Sequence, residues 1–215
     1  MPLHRLGPVE LRVLGCLIEK QRTTPDSYPL SLNALRLACN QSSSRDPVVD
    51  YDEPQVHAAA QRLGQIGWAR LASGAGSRTA KYRQLFDESL ELDSAETALL
   101  ALLFLRGPQT VAELKTRCER LHRFADNDGV SATLARLDAR ELAHLLPRRP
   151  GQREERWTHL LAETPSEEPP SVEAGHLSTG PVSLEPTSVE RRLQRLEDRV
   201  LELERRLNES RTGEE

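Results

Sequence analysis

The sequence predicts a mainly α-helical protein with small β-hairpins, organised as two tandem winged-helix domains, a disordered linker and a C-terminal coiled-coil helix. Three observations predict it. A pattern of three amphipathic helices followed by two strand-like pieces around a turn occurs twice in the first 163 residues. A stretch rich in Pro, Ser and Glu follows. The chain then ends in an apolar repeat spaced 4-3-4-3-4.

The first unit is placed at residues 1–86. Glu10 to Leu17 (ELRVLGCL) reads as an amphipathic helix, and Pro8 suits its first position, where the backbone N–H has no intrahelical acceptor. Leu32 to Cys39 is a short second helix. Val56, Ala59, Ala60, Leu63 and Ile66 form the apolar stripe of a third, with Asp52 as its cap. WARLAS and TAKYRQL then flank Gly74-Ala75-Gly76-Ser77, a hairpin signal. The second unit, residues 87–163, repeats this order. Glu96 to Leu103 parallels Glu10 to Leu17 and opens with an Asp93/Glu96 capping pair. Val111 to Arg120 opens with Thr110 and Glu113, and Val130, Leu134 and Leu137 make the third stripe. LAHLLP and EERWTHLL flank a Pro150-Gly151 turn. Units of about 80 residues support only modest cores, so packing one on the other would help both.

Residues 164–187 have no period and read as the disordered linker. Residues 188–210 read as the coiled-coil helix. Its seam is Val189, Leu193, Leu196, Val200, Leu203 and Leu207. With Leu193 at position a, Arg192 and Arg199 fall at g and Glu197 and Glu204 at e, the pairing a parallel homodimer uses. The seam is short, and a monomeric helix folded back on the body is the alternative.

Charge is uneven along the chain. Residues 1–84 carry net +4, residues 85–163 net −3 and residues 164–215 net −5. A nucleic-acid surface must therefore be a local patch. No apolar run is long enough to span a membrane, and the N-terminus lacks the apolar stretch of a signal peptide. A cytoplasmic protein with no membrane partner is expected. Cys16, Cys39 and Cys118 sit singly in apolar patterns and read as small core residues.

The blocks LSLNALRLACNQSSSRDPVVDYDE, RTAKYR, LRGPQTVAELKTR and LPRRPGQREERWTHLL resemble the YceH family of bacterial proteins, over about residues 5–162. The resemblance implies a pair of winged helices and supplies no activity. The family pattern has Lys and Asn where this chain has Ser43 and Ser44.

A winged helix places its third helix in the major groove and its wing over a neighbouring one. Double-stranded DNA is therefore the first expected partner. Arg78, Lys81 and Arg83 on the first wing, and Arg148, Arg149, Arg153 and Arg156 on the second, are candidates for phosphate contact. Solvated arginines on hairpin tips are the plain alternative, and Glu154 and Glu155 offset the second set. Gln55, Arg62 and Gln65 on the third helix are candidates for base edges. Asp50, Asp52 and Glu53, and Asp126 and Asp128 in the second copy, crowd the helix starts and would repel DNA. Between the second and third helices lies a loop of about a dozen residues, longer than the usual three or four. Its Asn40, Gln41, Ser42, Ser43, Ser44 and Arg45 are candidates for contact with phosphate or a partner backbone, or simply cap a helix and meet solvent.

Nothing marks an enzyme. The six His show no metal spacing, no phosphate-cradling glycine loop or GxSxG is present, and Ser42–Ser44 lack an evident base. No cofactor and no metal are expected. The reading is a non-enzymatic DNA-binding, regulator-like protein that forms a homodimer through its coiled coil. The alternative is a protein–protein adaptor that uses winged-helix domains without DNA.

Overall fold

The computed structural model describes residues 4–72, 80–148 and 154–163, which fall within one compact unit. They are mainly α-helical with small antiparallel sheets. In the first half, α1 (Pro8–Thr23) and a 3-10 turn (Pro25–Ser27) precede the short strand β1 (Leu30–Ser31), α2 (Leu32–Cys39) and α3 (Glu53–Gln65). A hairpin of β2 (Ala69–Leu71) and β3 (Lys81–Gln84) closes it. A short helix α4 (Phe86–Leu90) leads to α5 (Ser94–Arg106), α6 (Val111–Cys118), α7 (Asn127–Ala139) and the hairpin of β4 (Ala143–Leu146) and β5 (Arg156–His159). Three helices and then a hairpin occur in both halves, in the predicted order.

Helix starts follow local chemistry. Asp52 with Gln55, Asp93 with Glu96 and Thr110 with Glu113 each form a reciprocal capping box, satisfying two orphan N–H groups apiece. Proline opens α1, which has no side-chain cap. β3 is the central strand of the first sheet, paired with β1 through Leu30↔Tyr82 and with β2 through Arg70↔Arg83. The second half replaces β1 with a single bridge, Gln109↔Trp157, beside the β4–β5 ladder.

The halves are built around the pair α1 and α5. Every residue from Glu96 to Leu105 is buried, and a helix apolar nearly all round must have neighbours nearly all round. Gly15 lets α1 approach it: a Cβ there would stand 2.9 Å from Leu105 Cγ. One apolar core runs from Leu6 to Leu161 without a break at residue 86. Along it, His4, Trp68, Phe86, Phe104 and His159 make successive edge-to-face contacts, with centroids 5.0 to 5.8 Å apart. Leu6 N–H donates to Leu161 O and Glu163 N–H to Leu6 O, both at 2.8 Å, so the two ends of the core meet. No helix among the described residues is long and apolar enough to cross a membrane.

Candidate nucleic-acid interface

In the first half, α3 buries Val56, Ala59, Ala60 and Leu63 and turns Gln55, Gln61, Arg62 and Gln65 outward. Between α3 and the hairpin runs a groove of about 530 Å³, lined by His57, Gln61, Gln65, Arg70, Leu71 and Tyr82 among others. Leu71 is 59% exposed beside it. Arg70 lies on β2 directly across from Arg83 on β3. Like charges in that position repel. Arg83 is relieved by an ion pair with Glu88, whereas the side chains of Arg70 and Lys81 have no ion-pair or hydrogen-bond partner among the described residues. Nothing in the sequence singles out Arg70, which lies in WARLAS. The cross-strand register is what reveals it.

The other first-half candidates are more committed. Gln55 Oε1 accepts the Asp52 N–H at 3.0 Å, so its amide oxygen already serves the cap. Arg62 pairs with Glu10 at 3.5 Å and Glu163 at 3.2 Å. Gln65 lines the groove. Arg78 lies outside the described residues, as do Arg149, Arg153 and the seam from Val189 to Leu207.

On α7 and β5 the second half pairs its arginines with carboxylates of its own. Arg136 pairs with Asp93 at 2.7 Å and Glu96 at 3.3 Å, and Arg140 reaches Glu96 and two backbone carbonyls. Arg156 pairs with Glu113 at 2.9 Å and donates to Pro108 O. Arg148 is exposed and engaged in the structure. Burial pushes Glu113 up, but the Thr110 N–H and the charges of Arg156 and Arg117 outweigh it and hold the carboxyl below its usual range. The groove of about 400 Å³ beside α7 and β5 is lined by Glu154, Glu155 and Trp157, with no cation among its described lining residues.

The long loop is anchored from both ends. Asn40 accepts from Tyr51 N–H at 2.9 Å and donates to Tyr51 O at 2.8 Å, closing the loop on itself. Arg12 donates to Cys39 O and Pro47 O, and Asp46 N–H donates to Leu105 O of α5. Arg45 points inward, not to a partner: its side chain is 0% exposed and bonds Ala38 O, Gln41 and both oxygens of Glu19. Burial pushes Glu19 up, and the Arg45 hydrogen bonds and charge bring it below the usual carboxylate range. Gln41 also accepts from Lys20. Ser42, Ser43 and Ser44 remain exposed, Ser44 with φ 59°. Cys16, Cys39 and Cys118 are buried and unbridged.

Comparison with known proteins matches residues 6–152 to the family described as protein of unknown function, DUF480. The chain is 46% identical to a UPF0502 protein of Pseudomonas fluorescens strain Pf0-1 over 203 residues, covering 94% of this chain and 92% of that one. It is 45% identical to a UPF0502 protein of Dechloromonas aromatica, covering 93% and 92%. It is also 45% identical to one of Shewanella amazonensis, covering 94% and 96%. The YceH-type resemblance of the sequence agrees with these matches.

Proposed function

We propose a function for a chain that belongs to the DUF480 family, together with its UPF0502 relatives: non-enzymatic, regulator-like binding of double-stranded DNA. In this reading the two halves are tandem winged helices. The first does the gripping, with α3 in the major groove and the β2–β3 hairpin as wing. One observation carries it. The side chains of Arg70 and Lys81 stand on that hairpin without partners among the described residues, and Arg70 lines a groove whose polar walls include His57, Gln61 and Gln65. Unpaired cations next to amide side chains are what phosphate anchoring plus base-edge reading requires. Arg78, outside the described residues and placed by the sequence in the turn between the strands, is taken to add to this charge, and the seam from Val189 to Leu207 to join two protomers so that two wings act together.

The test is fluorescence anisotropy of the full chain on mixed-sequence duplexes across a salt series. Binding should weaken with salt, and the Arg70→Ala/Lys81→Ala variant should flatten the log–log slope by about 2. An unchanged slope removes the hairpin from the reading. The Leu196→Glu variant should turn a dimer into a monomer in sedimentation equilibrium.

A second reading rests on the other half. Glu154, Glu155 and Trp157 give its groove an acidic and aromatic wall suited to a basic protein segment, as an adaptor would use. No DNA retention at about 50 mM salt, together with a stable protein partner lost in Glu154→Lys/Glu155→Lys, would decide for it.

A further inference from the structure

Where the halves meet, the C-terminal ends of α1, α5 and α6 and the 40–47 loop enclose a cleft of about 280 Å³. Its walls carry four cations, Lys20, Arg106, Arg117 and Arg120, with the hydroxyls of Thr23 and Ser43 beside them. Glu19 is the only carboxylate among the described lining residues, and Arg45 already holds both of its oxygens, at 3.1 and 2.7 Å. Arg117 donates to Gln109 at 2.7 Å and faces Glu113 at 3.5 Å. Arg106 and Arg120 have no hydrogen-bond or ion-pair partner among the described residues. Arg106 is half-buried, and burial together with the charges of Arg117 and Arg45 works against its own charge more than Glu19 and Asp46 support it.

Cations at helix C-termini have a purpose without any ligand, since each end carries about −0.5 of an elementary charge. Three ends bring about −1.5. Glu19 pairs with Lys20 as well as with Arg45, Glu113 with Arg117 as well as with Arg156, and Asp46 acts on Arg106 from the loop, so each carboxylate serves more than one cation or lies outside the lining, and Arg106 and Arg120 remain in excess. The cleft therefore holds uncompensated positive charge in a concave, mostly polar space. Its volume sits at the small end of ligand sites, suited to a phosphoryl group on a few carbons and far too tight for a duplex.

We propose that this cleft binds a small phosphorylated metabolite, with its phosphoryl oxygens held by Arg106 and Arg120 and flanked by Lys20 and Ser43. The site is independent of the DNA reading, because none of its residues lies on α3 or the hairpin. Isothermal titration and thermal unfolding of the full chain, with 3-phosphoglycerate and inorganic phosphate as probes at matched ionic strength, test it. Saturable binding and a raised unfolding midpoint are expected with 3-phosphoglycerate, with weaker binding of inorganic phosphate. Arg106→Gln and Arg120→Gln should each weaken binding roughly tenfold to a hundredfold, while Arg70→Ala/Lys81→Ala leaves it unchanged. Neither arginine holds another part of the protein, so both variants should keep the unliganded midpoint. Should Arg106→Gln misfold, the exposed Arg120 decides. No saturable binding by about 10 mM, affinity unaltered by Arg120→Gln, preference for citrate, or dependence of duplex DNA binding on these arginines would each overturn the assignment.

Discussion

The two halves share an order of elements and use their arginines in opposite ways. On α7 and β5 of the second half, Arg136, Arg140 and Arg156 form ion pairs at the surface with Asp93, Glu96 and Glu113. They fasten α7 and the hairpin to the starts of α5 and α6. On β2 and β3 of the first half, Arg70 and Lys81 have no such partner among the described residues, and Arg83 has only an exposed glutamate. The first half is fastened elsewhere, by Arg12 and Arg45 inside the loop. Among the described residues, the first hairpin thus keeps two cations without carboxylates and the second half is the bracing face, and the difference lies in where the carboxylates are.

Four substitutions or conditions break or sharpen that contrast. Arg45→Met should have the largest effect, about 3–5 kcal/mol in urea unfolding, because Glu19 would be left charged and nearly buried. A loss below about 1 kcal/mol would mean that the loop is not what fastens the first half. Gly15→Val comes next, at about 1–3 kcal/mol, through overpacking against Leu105. Unfolding of this variant should remain a single transition by circular dichroism and by fluorescence of Trp68 and Trp157. Separate transitions would show that the halves are independently stable.

Acid provides the third. Burial lowers His159 to about 4 from an ordinary value of 6.5, so the folded chain resists a proton that the unfolded chain accepts. Its contribution to stability is complete above pH 6.5 and is lost as pH falls from there towards 4. By pH 5 the loss should be about 2 kcal/mol, and His159→Phe should remove that part of the pH dependence. The smallest effect is the most diagnostic. Glu154→Gln/Glu155→Gln should raise duplex affinity by a few-fold at low salt, because it takes repulsion from the bracing face. No change would place that face away from the DNA altogether.

Much of the architecture is readable from local signals. Asp52, Asp93 and Thr110 announce helix starts because their partners lie three residues on. The stripe Val56, Ala59, Ala60 and Leu63 is buried as its period requires. What escapes the sequence is whatever depends on distant partners. β1 is only two residues long and exists because β3 pairs with it. Arg45 reads as a loop residue that could contact phosphate or a partner backbone, and its burial depends on Glu19, 26 positions away. Leu37 looks like part of an apolar face yet is 56% exposed, since α2 is covered on one side only. Among the site residues, Gln65 could be placed by helical period alone. Arg70 needed the strand register, and the freedom of Lys81 needed the full set of ion pairs.

The pairing of Leu6 with Leu161 and Glu163 has a mechanical side. The two segments run parallel there, so the chain enters at one end of the pairing and leaves at the other. Tension between the N-terminus and the segment beyond residue 163 would load both 2.8 Å hydrogen bonds together, in shear, instead of peeling them one at a time. A tug transmitted along the tail would meet this clasp first and pass to α3 through the Glu163–Arg62 ion pair.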